Sequence, residues 1–120
     1  MIDFNHAAID EILHSRVRLA IVAFLAGART ADFTAVRDAT KTTDGNAGIH
    51  LRKLEDSGYV EMTKQFVGRR PQTTCRLTAA GRRRFLDYLS VLETVVADAA
   101  ATARADAAPR RGLVKGFAPA

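Results

Sequence analysis

The side chains able to do chemistry in this sequence are of a kind that grips an anion rather than breaks a bond. They crowd into one third of the chain. Positions 43–84 carry nine basic residues, Arg52, Lys53, Lys64, Arg69, Arg70, Arg76, Arg82, Arg83 and Arg84, against Asp44, Glu55, Asp56 and Glu61. Residues 1–42 hold five charges of each sign and residues 85–120 four of each, so the net charge of +5 resides in the middle. A positive field localised in this way suits a polyanion, because neutralised phosphates release their counterions. Nucleic acid and an acidic protein surface both answer that description.

Catalytic and metal chemistry find little support. His6, His14 and His50 fall on separate segments, and Glu11 with His14 forms only a lone i, i+3 pair. Cys75 is the single cysteine, which rules out an intramolecular disulfide and a cysteine-based zinc cluster, and it reads as a small buried strand residue. Neither a phosphate-cradling glycine loop nor a nucleophile elbow occurs. The expectation is a protein with no catalytic residues, no metal and no cofactor.

The elements that must position the basic residues follow from capping and periodicity. At 120 residues and 48% hydrophobic, the chain suits one core. A first helix is predicted around Ala7–Leu13. Ser15 caps a second, on which Val17, Ile21, Phe24, Leu25 and Ala28 form a broad apolar face and near whose end Gly27 lies. Thr34 offers a cap for a short third helix running to about Lys41, with Val36 and Ala39 inward. Thr42-Thr43-Asp44 supplies new caps, and a fourth helix runs over 44–56, closed by Ser57-Gly58. Two short helices joined by a tight turn form a helix-turn-helix skeleton.

From Tyr59 to Val67 the pattern alternates like a strand, Gly68-Arg69-Arg70-Pro71 supplies a turn, and Thr73–Thr78 returns, giving a hairpin with a basic tip. A long helix opens at Thr78-Ala79-Ala80-Gly81 and extends to about residue 105. Phe85, Leu89, Leu92, Val96 and Ala99 recur along it at heptad-like intervals, widened by Tyr88, Val91 and Val95. Residues 106–120 contain two of the three prolines and no periodicity, and read as a mobile tail whose Arg110, Arg111 and Lys115 are solvated. The longest apolar stretches, such as Leu19–Ala26, fall far short of the roughly 20 residues that cross a bilayer, and the acidic start Met1-Ile2-Asp3 is unlike a secretory signal, so no membrane partner and a cytoplasmic location are expected.

Helical geometry sorts the fourth helix. Ala47, Leu51 and Leu54 share one inward stripe, while Thr43, Asp44, Asn46, Ile49 and His50 cluster at the helix start or flank that stripe, with Arg52 and Lys53 a turn or more later. Asn46 can pair bidentately with adenine, Ile49 can meet a thymine methyl, His50 and Arg52 can donate to bases or phosphates, and Gly48 lets the backbone come close. Capping is the competing role for Asp44 and Asn46, and half-buried packing for His50.

The order helix, helix, turn, helix, basic hairpin, long helix, together with Asp44–Val60, Phe66–Thr74 and Leu77-Thr78-Ala79-Ala80-Gly81, resembles the small winged-helix regulators related to the MarR and ArsR families. The resemblance covers roughly Ile12–Leu92. It implies a mainly α fold with a small β-hairpin (α+β): a winged helix-turn-helix over 1–105 that includes a C-terminal dimerisation helix. It implies a double-stranded DNA partner, with the recognition helix in the major groove and a basic wing over 64–76 on backbone or minor groove. The DNA-binding set is then Thr43, Asp44, Asn46, Gly48, Ile49, His50, Arg52, Lys53, Lys64, Arg69, Arg70, Gln72 and Thr73. Ala47 and Gly48 depart from the family, which usually has a larger aliphatic residue and a serine there; this implies a looser helix start.

The surplus apolar seam of the last helix, Phe85, Tyr88, Leu89, Leu92, Val95, Val96 and Ala99, points to a homodimer, an intramolecular brace being the alternative. Members of such families often answer to a small molecule, but no residue here identifies an effector. A winged-helix protein–protein interaction module without specific DNA binding is the second functional reading. The cysteine pairs of metal-sensing relatives are absent.

Overall fold

The computed structural model describes residues 10–107. The predicted first helix, Ala7–Leu13, begins outside them; in its described part Glu11–Leu13 form a single 3-10 turn rather than an α-helix, capped by Asp10, whose carboxylate accepts from the Ile12 amide. Helix α1 spans Arg16–Ala28, with Ser15 as its N-cap as expected. Gly27 lies near its end, as expected, and Arg29 terminates it: Arg29 adopts φ 71° and returns its amide to the Leu25 carbonyl. Strand β1, Thr30–Asp32, has no signature in the sequence. Its three residues are extended because they pair antiparallel with β3, Thr30 opposite Arg76 and Asp32 opposite Thr74.

Helix α2 spans Phe33–Ala39 and is capped by Asp32 rather than Thr34, the Asp32 carboxylate accepting from the Ala35 amide at 2.7 Å. Val36 is buried, but Ala39 is exposed, contrary to expectation. Helix α3, Asp44–Asp56, has the predicted bounds, and Thr43 supplies the cap by accepting from the Asn46 amide. Gly58, at φ +84°, closes it in the left-handed conformation that glycine adopts without a Cβ penalty. Strands β2 (Val60–Val67) and β3 (Arg70–Leu77) then pair from Val60 opposite Leu77 to Val67 opposite Arg70. The turn is therefore the two residues Gly68-Arg69, tighter than the predicted four, with Gly68 at φ +68°. Helix α4 runs Ala79–Ala107, past the expected end; the rest of the predicted tail, and His6, lie outside the described residues.

The core joins Ile21, Val22 and Leu25 of α1, Val36 of α2, Leu51 and Leu54 of α3, Tyr59, Cys75 and Leu77 around the sheet, and Phe85 and Tyr88 of α4. Cys75 is buried as expected, and burial first, then the Asp32 and Glu55 charges, pushes its thiol up to about 11. The seam of α4 is divided by this packing. Phe85 and Tyr88 are buried within the same chain, Leu89 and Leu92 pack partly against that core, and beyond them Val96 is 58% exposed.

A polar network ties the N-terminal turn to α4 and to the end of α3. The Tyr59 hydroxyl donates to Asp10 at 2.5 Å, Arg84 pairs with Asp10 at 3.0 Å and donates to the Ser57 carbonyl at 2.7 Å, and its guanidinium stacks 4.2 Å from the Tyr59 ring centroid. Burial alone would push the Asp10 carboxyl up. The bonds from Tyr59 and the Ile12 amide and the charge of Arg84 outweigh it and hold the group below the usual carboxylate range. A carboxyl depressed in the folded state stabilises the fold above its unfolded pKa, and that contribution disappears as pH falls through the folded value. Asp10→Ala is expected to cost about 1–3 kcal/mol at neutral pH by leaving Tyr59 and Arg84 short of a partner. The difference from wild type should shrink as the pH is taken from neutral to below the ordinary carboxylate range, because Asp10 of the parent protein then becomes protonated and its bonds to Tyr59 and Arg84 weaken. Urea denaturation at both pH values measures it.

Candidate nucleic-acid interface

Helix α3 packs its Ala47–Leu51–Leu54 stripe against α1, α2 and β2. At 100° per residue the opposite surface carries Gly45, Asn46, Ile49, Arg52 and Lys53, all exposed, with Ile49 61% accessible. An exposed isoleucine amid an amide and two cations is chemically suited to a groove that offers methyl groups, hydrogen-bonding edges and phosphates. Thr43 is exposed at the helix start, its hydroxyl occupied in capping. Asp44 is exposed but engaged: it pairs with Arg37 of α2 at 2.7 Å, and Arg37 also holds Asp38 at 2.9 Å. These contacts raise the pKa of Arg37, Asp38 first and Asp44 second. Asp44 thus joins the two helices of the helix-turn-helix, a part that sequence spacing did not reveal.

His50 sits at the edge of the inward stripe, half-buried, with Nδ1 3.1 Å from Arg18 Nη1, while Arg18 Nε donates to the Ile12 carbonyl at 2.6 Å. A guanidinium can only donate, so Nδ1 accepts and the imidazole proton resides on Nε2. Burial first, and then the charges of Arg18 and Lys53, lower the pKa of His50 and keep the ring neutral. Any contact His50 makes outward is therefore as an Nε2–H donor. Arg18, remote in sequence and on another helix, had no local signal marking it as the partner.

Gly48 is half-buried at the other flank of the stripe, and a Cβ built on it meets nothing within 4 Å. Internal packing does not require glycine there. Gly48→Ala should raise stability by about 0.5–1 kcal/mol through helix propensity. If close approach of the backbone to DNA is what the glycine serves, the same variant binds DNA more weakly; thermal melting and fluorescence anisotropy on one preparation give both numbers.

The β2–β3 ribbon extends past the core. Val60 and Cys75 are buried at its root, whereas Lys64, Gln65, Phe66, Val67, Arg69 and Arg70 near its tip are exposed. Alternation puts Lys64 and Phe66 on the face that continues from the core, with Thr73 opposite Lys64, and Arg70 and Gln72 on the other. Gln72 is partly occupied in bracing: its amide donates to the Asp32 carboxylate at 3.2 Å, tying the wing to the cap of α2. Phe66, 73% exposed beside Arg69 and Arg70, was not singled out by the sequence reading, in which it counted only as a strand aromatic.

Residues 17–96 match the family described as winged helix DNA-binding domain. The chain is 37% identical over 79 residues to an uncharacterised protein of Methanocaldococcus jannaschii, a match covering 66% of this chain and 86% of that one. Among solved structures it is similar to a transcriptional regulator homologue from Pyrococcus horikoshii, with TM-score 0.69 and 34% identity over 74% of this chain and 88% of that one. The same fold recurs at 17% identity in the PcaV transcriptional regulator of Streptomyces coelicolor, solved with its natural ligand, with TM-score 0.62 over 86% and 82% of the two chains. A MarR family transcriptional regulator from Silicibacter pomeroyi shares it at 16% identity, with TM-score 0.61 over 96% and 66%. None of the helices among the described residues is long and apolar enough to cross a membrane. With its helix-turn-helix, its basic ribbon and a family match spanning two thirds of its length, this chain belongs to the winged helix DNA-binding domain family and is a DNA-binding regulator rather than an enzyme.

Proposed function

We propose that the protein is a sequence-specific transcriptional regulator that binds a roughly palindromic DNA site as a homodimer, with α3 in the major groove and the wing on the adjacent backbone or minor groove. The observation that carries this reading is the outward face of α3, where Asn46, Ile49, Arg52 and Lys53 stand exposed beside a basic ribbon. A major groove about 12 Å wide admits such a helix. Lys53, Lys64, Thr73 and Arg70 serve as backbone contacts that set register, and Asn46, Ile49 and Arg52 read base edges. Thr43, Asp44 and Gln72 act chiefly by holding the elements that present them.

The distal half of α4 supports the homodimer. Its 29 residues extend about 43 Å at 1.5 Å per residue, further than the core follows it, and Leu92, Val95, Val96 and Ala99 continue the apolar seam. Two copies joined there present two recognition helices to successive major grooves. The ligand bound by PcaV supports a small-molecule effector, and a DNA partner is consistent with a cytoplasmic location.

Selection of bound sequences from a random DNA pool with the purified protein tests the proposal. The expected result is enrichment of two half-sites related by a dyad, with centres about one helical turn apart or a multiple of it. A pool that shows no enrichment, or a protein that sediments as a monomer at micromolar concentration and protects only one half-site, would overturn it.

A further inference from the structure

Apart from Arg84, which is paired with Asp10, the basic residues of the middle third divide into two patches in the folded chain. Arg52, Lys53, Lys64, Arg69 and Arg70 lie on α3 and the wing. Arg76, Arg82 and Arg83 instead join Arg29 around an open groove of about 590 Å³ at the root of the sheet, between the end of α1, the end of β3 and the first turns of α4. Arg76 lies six positions along β3 from Arg70, so the groove is set back about 20 Å from the wing tip.

The electrostatics of this groove are unbalanced. None of its lining residues is acidic. Arg76 is paired with Glu61 at 2.6 Å and Arg82 reaches the Ala26 carbonyl at 3.3 Å, but the side chains of Arg29 and Arg83 have neither an ion-pair nor a hydrogen-bond partner among the described residues. Arg29 is moreover held at φ 71°, a conformation that residues with a Cβ rarely adopt. Four guanidinium groups around one concavity repel one another, and an anion of matching charge relieves that repulsion. Their planar forks pair bidentately with phosphate or carboxylate oxygens. Leu77 and the 55% exposed Leu86 add an apolar floor, and the groove falls in the size range of small-molecule sites, larger than a bare inorganic ion needs.

We propose that this groove is a binding site for a small organic anion carrying at least two oxyanion charges, held by Arg29, Arg76, Arg82 and Arg83 with its uncharged part against Leu77 and Leu86. The site is separate from the DNA-binding face, and the inference stands whether or not the DNA reading does.

Calorimetric titration of the full chain with adenosine diphosphate and with citrate, at matched ionic strength and with adenosine as neutral control, tests it. At least one anion should bind saturably at one per chain, adenosine should not bind, and preference between the two separates a phosphate from a carboxylate ligand. The variant R29Q/R83Q should weaken anion binding by at least about tenfold while leaving DNA affinity unchanged, and R69Q/R70Q should leave anion binding intact. Should the double variant melt at lower temperature, R29Q and R83Q are to be measured singly. The proposal is overturned if neither anion binds saturably, or if binding survives R29Q/R83Q. It is equally overturned if R29Q/R83Q weakens DNA binding and flattens its salt dependence, which would assign the groove to the DNA surface.

Discussion

Gly81→Ala is expected to destabilise the protein by about 3 kcal/mol, the upper end of the usual cost of overpacking. A Cβ on Gly81 would overlap the Tyr59 carbonyl oxygen and stand 2.8 Å from Tyr59 Cα and 2.9 Å from its carbonyl carbon. Those atoms are backbone, so no rotamer change can clear them. They are also fixed by other bonds: the Tyr59 carbonyl accepts from the Thr78 amide at 2.9 Å, and Thr78 Oγ1 donates to the Gly58 carbonyl at 2.6 Å while accepting from the Gly81 amide at 2.8 Å. Thr78 and Gly81 together hold the start of α4 against the end of α3 and the start of β2. Relief of the overlap would have to move α4 as a body and open the packing of Phe85 and Tyr88. For a domain of this size the melting temperature should fall by roughly 10–20 °C. Gly27→Ala is the control: that glycine is exposed in α1 with nothing within 4 Å of the added carbon, and the change should stabilise slightly. A Gly81→Ala protein that melts like wild type would show that the α4 junction yields easily.

The second large effect is expected on DNA binding. Replacing Arg69 and Arg70 together by glutamine should weaken binding to every DNA sequence by roughly 10- to 100-fold near 0.1 M salt. It should also reduce the slope of log affinity against log salt by about one per lost phosphate contact. Both residues are exposed at the free end of the ribbon, Arg69 in the turn itself and Arg70 opposite Val67, so their removal leaves the core untouched. Asn46→Ala should behave differently. It removes a base-reading amide from the outward face of α3, costing about 1–3 kcal/mol on the preferred site and little on random DNA, with the salt slope unchanged. Anisotropy titrations at three salt concentrations on both DNAs separate the two behaviours. Unchanged affinity in the arginine variant would remove the wing from the interface.

Several features were legible in the residues because they are local. Ser15 and Thr43 cap helices since a hydroxyl needs only the next turn's amides to act. The bounds of α3, its Ala47–Leu51–Leu54 stripe and the Gly58 stop follow from one helical period and one left-handed residue. The cap of α2 was misplaced because Asp32 and Thr34 are both competent, and Asp32 prevails as β1 delivers it there already extended.

What the sequence by itself determined is the order of elements, the helix that faces outward with Asn46, Ile49, Arg52 and Lys53, and the confinement of positive charge to residues 43–84. Each depends on neighbours a few positions apart. Only the tertiary structure decided the existence of β1, which has no stability without β3 beside it, and the division of the α4 seam into Phe85 and Tyr88 inside the core and Val96 outside it. It alone paired Arg37 with Asp44, Arg18 with His50, and Asp10 with Tyr59 and Arg84. It also split one stretch of basic sequence between the wing and the groove beside Arg29. The physical reason is common to all of these: charge and apolar area are additive along a chain, but which charges meet and which surfaces are covered depends on contacts between residues tens of positions apart.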